Sequence, residues 1–371
     1  MRVLVTGGAG FIGSHLVDAL IARGHAVRVL DSLEAQVHGP DAKRPVYLHP
    51  AAELQVGDVR DRDALRRALA GIEVVFHQAA AVGVGQSMYE IERYVSVNTL
   101  GAAVLLEEMV QCRAQLRRVV VASSMSLYGE GAYRDAAGVA VAPRLRPAAQ
   151  LAARRFELED SAGRPLTPVP TPESKPLQPT SVYAVTKRDH EELFLAVGDA
   201  YGIPTVALRY FNAYGTRQAL SNPYTGVIAI FSSRLLNGKP PRVFEDGGQS
   251  RDFVHVSDIV AANLLAMERE AAVGRVFNVG TGRATTVLEI GRMLARELGV
   301  AIEPEISGRF RAGDIRHCIA DPGAAARDLG FEARTRVADG MRELLTWLRT
   351  QAPEDHVDGA SAELEARGLT R

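Results

Sequence analysis

Tyr183 and Lys187, in the stretch SVYAVTK (181–187), stand four residues apart and so share one face of a helix. Among ten tyrosines and only four lysines (Lys43, Lys175, Lys187 and Lys239), about 0.1 such pairs arise by chance. An ammonium close to a phenol favours the phenolate, so the pair can supply a general base near neutral pH. Upstream, VASSMSLYGEG (121–131) sets the hydroxyls of Ser123, Ser124 and Ser126 within four positions, with no carboxylate or histidine between them. Whatever reaction this base serves, its neighbours are hydroxyls.

A second constellation names a partner for the base. In VTGGAGFIGSHL, Gly7, Gly10 and Gly13 form a GxxGxxG turn, a spacing expected roughly 0.3 times by chance in a chain this rich in glycine. Its context carries more weight: a strand precedes it, an amphipathic helix follows, and Asp31 ends the next strand. Glycines allow the tight turn, and the helix N-terminus then offers free N–H groups and partial positive charge to a pyrophosphate. Asp31 can accept from an adenosine ribose 2′-hydroxyl and would repel a 2′-phosphate. Ser32 and Leu33 follow it rather than an arginine, so NAD is favoured over NADP. Asp58, ending the third strand, is placed to meet the adenine edge. An oxidised nicotinamide adds positive charge beside Tyr183.

These residues need a scaffold. Apolar, β-branched runs at 2–7, 26–31, 53–58, 73–79, 117–123 and 205–210 alternate with helical stretches such as 11–23, 61–70 and 89–113. That pattern predicts an α/β fold, a doubly wound parallel Rossmann sheet covered on both faces. After 210 the order changes, and helices are expected within 221–238, after a strand at 253, and at about 286–298 and 336–350. The domains expected are a dinucleotide-binding domain over 1–210 plus roughly 251–275, and a smaller C-terminal α/β substrate-binding domain over 211–250 and 276–350. Residues 132–178, rich in Ala, Arg and Pro, read as an irregular insert. The polar end, 351–371, is expected to fray.

Composition removes several classes. The chain has 371 residues, 47% hydrophobic and 23% charged, with a formal net charge of −1. Nothing in that balance recruits nucleic acid or an anionic membrane. Its two cysteines, Cys112 and Cys318, form no CxxC pattern and read as buried free thiols of a reducing cytoplasm. There is no basic leader with an apolar core, and no apolar run of membrane-spanning length. The nine histidines show no metal-ligand spacing, so no metal is expected.

The segments TGGAGFIGSHL, FHQAA (76–80), Asn98, SSMSLYG, YAVTK, RYFNAYG (209–215), RDFVHV (251–256) and RAGDIRHCIAD (311–321) occur in order over roughly residues 1–350. Together they resemble the extended short-chain dehydrogenase/reductase superfamily, in its nucleotide-sugar 4-epimerase branch. The resemblance implies that Ser124 is the hydroxyl partner of Tyr183, and that Lys187 also holds the nicotinamide ribose. It extends the cofactor-facing set to Phe11, Ile12, Val59, Ala79, Asn98 and Tyr210, with Asn98 the helix residue that steadies the active-site backbone. It assigns Asn212, Arg251 and Arg311 to the substrate's diphosphate, a task suited to fixed, always-charged donors. Asp314 and His255 are read as structural.

The stretch after Ser124 then bears on the reaction. Relatives that dehydrate hexoses carry Asp-Glu there and sugar-acid decarboxylases Ser-Glu, whereas here Met125 and Ser126 follow. Without a carboxylate, oxidation and re-reduction of one alcohol is the chemistry left, which is 4-epimerisation. The substrate implied is a dTDP-deoxyhexose such as dTDP-L-rhamnose; the alternatives are UDP-hexose or UDP-uronic acid 4-epimerisation, or stoichiometric 4-keto reduction with NAD(P)H. A uronate would need an extra donor, which Ser87, Arg144 or Arg146 could supply, although those arginines read first as solvated loop charges. The insert lacks the cysteine pairs of many members of this group, and GTRQ (215–218) replaces a more usual Gly-Pro-Arg. The resemblance also implies a homodimer, formed through the helices at about 89–113 and 181–201.

Overall fold

Val3 and Val5 point to one side of the first strand and Leu4 to the other, and all three are fully buried. A strand buried on both sides belongs inside a layered α/β structure. The computed structural model, which describes all residues from Met1 to Arg371, builds it from seven strands: β1 (Arg2–Thr6), β2 (Ala26–Asp31), β3 (Glu53–Val56), β4 (Val74–His77), β5 (Arg118–Ser124), β6 (Thr205–Tyr210) and β7 (Arg275–Val279). Their order is β3-β2-β1-β4-β5-β6-β7, with every pairing parallel. Strand order reverses between β1 and β4, and the crevice at that switch point is where open sheets of this kind take ligands.

The principal helices are α1 (Phe11–Ala22), α2 (Arg62–Leu69), α3 (Gly101–Gln111), α4 (Val182–Tyr201), α5 (Val227–Leu236), α6 (Val256–Glu268), α7 (Val287–Leu298), α8 (Val337–Leu348) and α9 (Val357–Ala366). Leu16, Val17 and Leu20 of α1 join Ile259 and Val260 of α6 over the Val3/Val5 face. Leu65 and Leu69 of α2, Leu105 and Met109 of α3 and Phe194 of α4 cover the Leu4 face. Each such side chain contributes about 1.5–3 kcal/mol on burial. A separate core joins Ile228 and Phe231 of α5, Ile290 and Leu294 of α7, and Met341 and Leu345 of α8. No helix is long and apolar enough to cross a membrane. Both cysteines are free; Cys318 is buried, whereas Cys112 is only half-buried.

Four regions differ from expectation. RVFNV (275–279), not among the strands expected, pairs with β6 as the edge strand β7. The helix expected over 89–113 begins at Ile91 and passes through a π-helical turn, Val95–Leu100, before α3. The insert contains a three-stranded antiparallel sheet, Ala132–Arg134, Ala140–Val141 and Thr167–Val169, over a small core of Tyr133, Leu158 and Leu166. The end of the chain, expected to fray, forms α9 and then pairs with residues 310–312.

Arg146 is the strongest departure within the insert. Arg144 is exposed as expected, but the Arg146 side chain is 1% exposed and meets Glu245, itself 1% exposed, at 2.8 Å. It also donates to the Phe156 carbonyl at 2.8 Å. Arg316 shares Glu245 at 3.0 Å and reaches Asp246 and Glu157. Without Arg146, Glu245 keeps Arg316, but the fully buried Glu130, 3.9 Å from Arg146, loses its ion partner, and breaking a buried pair costs about 3–5 kcal/mol. Arg146→Ala should therefore lower the denaturant midpoint by that equivalent while Arg144→Ala leaves it in place; equal midpoints for the two variants would contradict this role for the insert.

Candidate active site

The turn after β1 shows why glycine is needed there. A Cβ on Gly7, whose φ is +70°, would lie 2.6 Å from the Ala79 nitrogen, and one on Gly13 would lie 2.2 Å from the Gly7 carbonyl oxygen. Gly10 precedes α1 as a cap without a side chain, so the first-turn N–H groups are left for an anion. The Asp31 carboxylate is aimed by two backbone donors, Ala9 N and Leu33 N, each at 2.9 Å. This holds Leu33 in the left-handed region, at φ 51°, and leaves lone pairs on both oxygens for a ribose. Asp58 sits in the same crevice but is gripped by Arg60, at 2.6 Å between Oδ2 and Nη2.

At the end of β5 the Ser124 hydroxyl accepts from Ser126 N at 3.1 Å and from Ser126 Oγ at 2.9 Å. Ser123 points to the opposite side and donates to the buried Glu191 carboxylate at 2.7 Å. Glu191 in turn grips Arg209, which donates to the Tyr128 hydroxyl at 2.7 Å. This network anchors α4 to β5 and β6 beneath the site. Tyr183 falls in the first turn of α4, which starts at a capping Ser181 whose hydroxyl accepts from Ala184 N at 3.1 Å. The Tyr94 ring meets the Tyr183 ring edge-on at 6.5 Å.

Lys187 is buried and Tyr183 half-buried, and loss of water dominates the titration of both. It pushes the phenol up to about 12, against a downward pull from the Ser124 hydroxyl. It brings the ammonium down to about 7. In the ligand-free pair, burial thus favours the phenol over the phenolate, and added positive charge would favour the phenolate. His190, one turn on, faces Lys187 Nζ with its Nδ1 at 3.3 Å. Its Nε2 lies 2.9 Å from the Asn98 carbonyl oxygen, which assigns the ring proton to Nε2. His77 lies alongside, 5.0 Å between ring centroids, and is held neutral, its pKa lowered to about 3 by burial and the nearby Lys187. Neither histidine was singled out from sequence, although His190 shares its helix face with Lys187 at i+3.

Apart from Arg144 and Arg146 of the insert, all but two of the candidate site residues line one cavity of about 680 Å³. It runs from the glycine turn past Asp31, Ser124 and Tyr183 to Asn212, Arg251 and Arg311. The exceptions are corrections. Ser87, expected at the sugar, is fully buried, accepting from Tyr183 N at 3.0 Å and donating to the Val84 carbonyl at 2.7 Å. It satisfies an orphan donor of the first helical turn instead. Asn98, placed in the cofactor-facing set, is turned by the π turn into the protein, where it steadies the backbone beside the cavity as expected of it. It clamps Ala81 through both its N–H (2.8 Å) and its carbonyl (3.1 Å) and reaches Thr186 at 3.0 Å.

At the far end Arg251 is braced by the carbonyls of Ser250, Arg316 and Ile315 at 2.8–3.0 Å. Arg311 lies over the Phe244 ring at 4.6 Å and pairs with Asp314 at 2.9 Å. The Asn212 side-chain oxygen is buried without a partner. His255 caps α6 and packs edge-on against Tyr214. Ser126, one of the three hydroxyls noted in the sequence, also lines the cavity, as do several residues of the last segment, 357–370, which were not anticipated.

A glycine turn on a helix N-terminus, an acidic residue ending β2, and a Ser-Tyr-Lys set over one cavity define a dinucleotide-dependent enzyme working on an alcohol. The model of the NAD dependent epimerase/dehydratase family matches residues 3–153 and 160–280, and the chain belongs to that family, within the extended short-chain dehydrogenases/reductases. Its cofactor is NAD and its class is that of the nucleotide-sugar epimerases. It is 38% identical to a dTDP-L-rhamnose 4-epimerase of Burkholderia thailandensis, over 94% of each chain. A UDP-glucose 4-epimerase of Thermotoga maritima, solved with UDP-glucose, superposes with a TM-score of 0.77 at 33% identity, covering 94% of this chain and 99% of that one. The UDP-glucose 4-epimerase of Thermus thermophilus, solved with NAD, gives 0.74 at 31% identity, covering 95% and 100%.

Burial of Lys187 has a measurable sign. Its folded-state value of about 7 lies below the ordinary 10.5, so within that window the unfolded chain binds the extra proton and stability rises with pH. In cofactor-stripped protein, the difference in unfolding free energy between wild type and Lys187→Met should shift in favour of wild type as pH climbs from about 7 towards 10.5. A difference independent of pH would show that Lys187 is solvated.

Proposed function

We propose that this chain is a nucleotide-sugar 4-epimerase acting on a dTDP-deoxyhexose such as dTDP-L-rhamnose. The observation that carries the reading is the makeup of the cavity wall at Ser124. Among its carboxylates, Asp31, Glu34 and Asp58 belong to the β2–β3 end and Asp314 is engaged by Arg311. None accompanies Tyr183, so an alcohol can lose and regain its proton there, while elimination of water lacks its acid and base.

The glycine turn, the first turn of α1 and Asp31 suit the cofactor's pyrophosphate and ribose, with Lys187 reaching its second ribose. When bound, NAD⁺ supplies a reversible acceptor for the C4 hydride and a fixed positive charge. Tyr183 Oη takes the C4 hydroxyl proton and later returns it. Ser124 shares a hydrogen bond with the same oxygen and keeps it in line. Asn212, Arg251 and Arg311 hold the diphosphate, so the planar 4-keto sugar can turn over without leaving. Substrate class follows partly by subtraction. Of the three donors that could have met a uronate carboxylate, Ser87 and Arg146 are buried in other bonds and Arg144 is exposed outside the cavity. The Burkholderia relative supports the dTDP-deoxyhexose.

We also infer a homodimer through α4 and the helix running from Ile91 to Gln111, whose Val95, Leu100 and Val185 stand exposed; light scattering that shows a monomer would remove that inference. A cytoplasmic location belongs to the same reading, supported by two unpaired thiols.

The test is proton NMR of the purified protein with dTDP-L-rhamnose and no added cofactor. New H4 couplings of the C4 epimer are expected, and Tyr183→Phe should slow their appearance by about 10²–10⁴-fold. Turnover of UDP-glucose alone would overturn the substrate, and inertness until a reductant and a 4-keto sugar are supplied would overturn the reaction.

A further inference from the structure

The last seventeen residues fold back over the cavity. Asp355 and Asp358, at the start of α9, meet Lys239 at 2.9 Å and Arg234 at 2.8 Å respectively. After α9, Ala312 N donates to the Leu369 carbonyl at 2.8 Å, and Phe310 and Arg371 exchange N–H···O bonds of 2.9 Å each. Thr370 is thereby bridged to Arg311, the arginine assigned to the diphosphate. On the other side of the crevice, the Leu364 methyls lie 3.4 Å from where a Gly85 Cβ would stand, and the Arg367 guanidinium stacks 4.5 Å over the Tyr89 ring. Gly85 sits in the short helix Val84–Ser87, whose Ser87 bonds Tyr183 N. The segment thus reaches from the turn behind the catalytic tyrosine to the strand of the diphosphate arginine.

Its inner face is Val357, Ala360, Ser361, Leu364, Leu369 and Thr370. The charges of α9 lie elsewhere: Glu365 pairs with Arg309 at 2.8 Å, Arg367 with Glu363 at 2.6 Å, and Asp358 with Arg234. The wall therefore offers the ligand apolar contact and two hydroxyls, and no charge of its own.

We propose that residues 355–371 form the outer wall of the nucleotide-sugar compartment and determine which sugar nucleotides bind, with Ala360 and Ser361 limiting their size. The inference rests on the nucleotide-sugar reading above and deepens it. The wall is closed by contacts to both sides of the crevice, so it holds the ligand in by shape while the arginines hold it by charge.

Isothermal titration calorimetry tests this with dTDP-L-rhamnose and UDP-glucose on the full chain, a chain ending at Glu354, and Ser361→Trp, all with bound NAD quantified. Both variants should bind the sugar nucleotide that the full chain prefers at least about ten-fold more weakly, with NAD content unchanged. If the shortened chain fails to fold, Ser361→Trp decides, since position 361 is only half-buried and tolerates change without loss of core. Unchanged affinity in Ser361→Trp overturns the wall, as does a full chain that binds neither ligand. Tight binding that the variants weaken, without any C4 epimer formed, would uphold the wall and sink the epimerase reading instead.

Discussion

A phenol and an ammonium withdrawn together from water, with no carboxylate between them, set the terms for the rest of this site. Removing water raises Tyr183 to about 12 and lowers Lys187 to about 7, so the ligand-free pair rests with its proton on the phenol. Positive charge added to the crevice would favour the phenolate. Much of the surrounding structure keeps that pair dry and fixed. Ser181 caps the helix start, Ser87 takes the Tyr183 N–H, and His190 spans from Lys187 to the Asn98 carbonyl.

That pair works because the sheet delivers its partners to one edge. Parallel strands all end on the same side, so the turn after β1, Asp31 at the end of β2 and Ser124 at the end of β5 face one crevice. Register puts Ser124 beside Tyr210, and the Glu191–Arg209–Tyr128 network ties α4 to that edge. The insert adds a second anchor, since Arg146 and Arg316 meet on Glu245. It thereby fixes the segment that carries Arg311 and Asp314.

Features written in local sequence were legible before the structure. The Tyr183/Lys187 spacing, the glycine turn and the two-sided burial of the strands each depend on residues within a turn or a strand of one another. Features decided by distant partners were not. Arg146 reads as a loop charge because Glu245 lies 99 residues away. Ser87 offers a hydroxyl to any neighbour, and only the tertiary fold chooses Tyr183 N over a sugar. The last segment looks like a polar tail because its charges are matched to Arg234, Lys239 and Arg309, far along the chain. RVFNV lies after the change of element order at 210, and only its pairing with β6 places it in the parallel sheet.

In the proposed reaction the hydrogen taken from C4 is the one put back, and the protein itself moves only the hydroxyl proton. The direct measurement is conversion of dTDP-L-rhamnose deuterated at C4, run in ordinary water and read by mass and NMR. Full retention of deuterium at C4 of the epimer is predicted. Loss of the label to solvent would mean that the carbon is deprotonated rather than oxidised, and the role given to Tyr183 would fall with it.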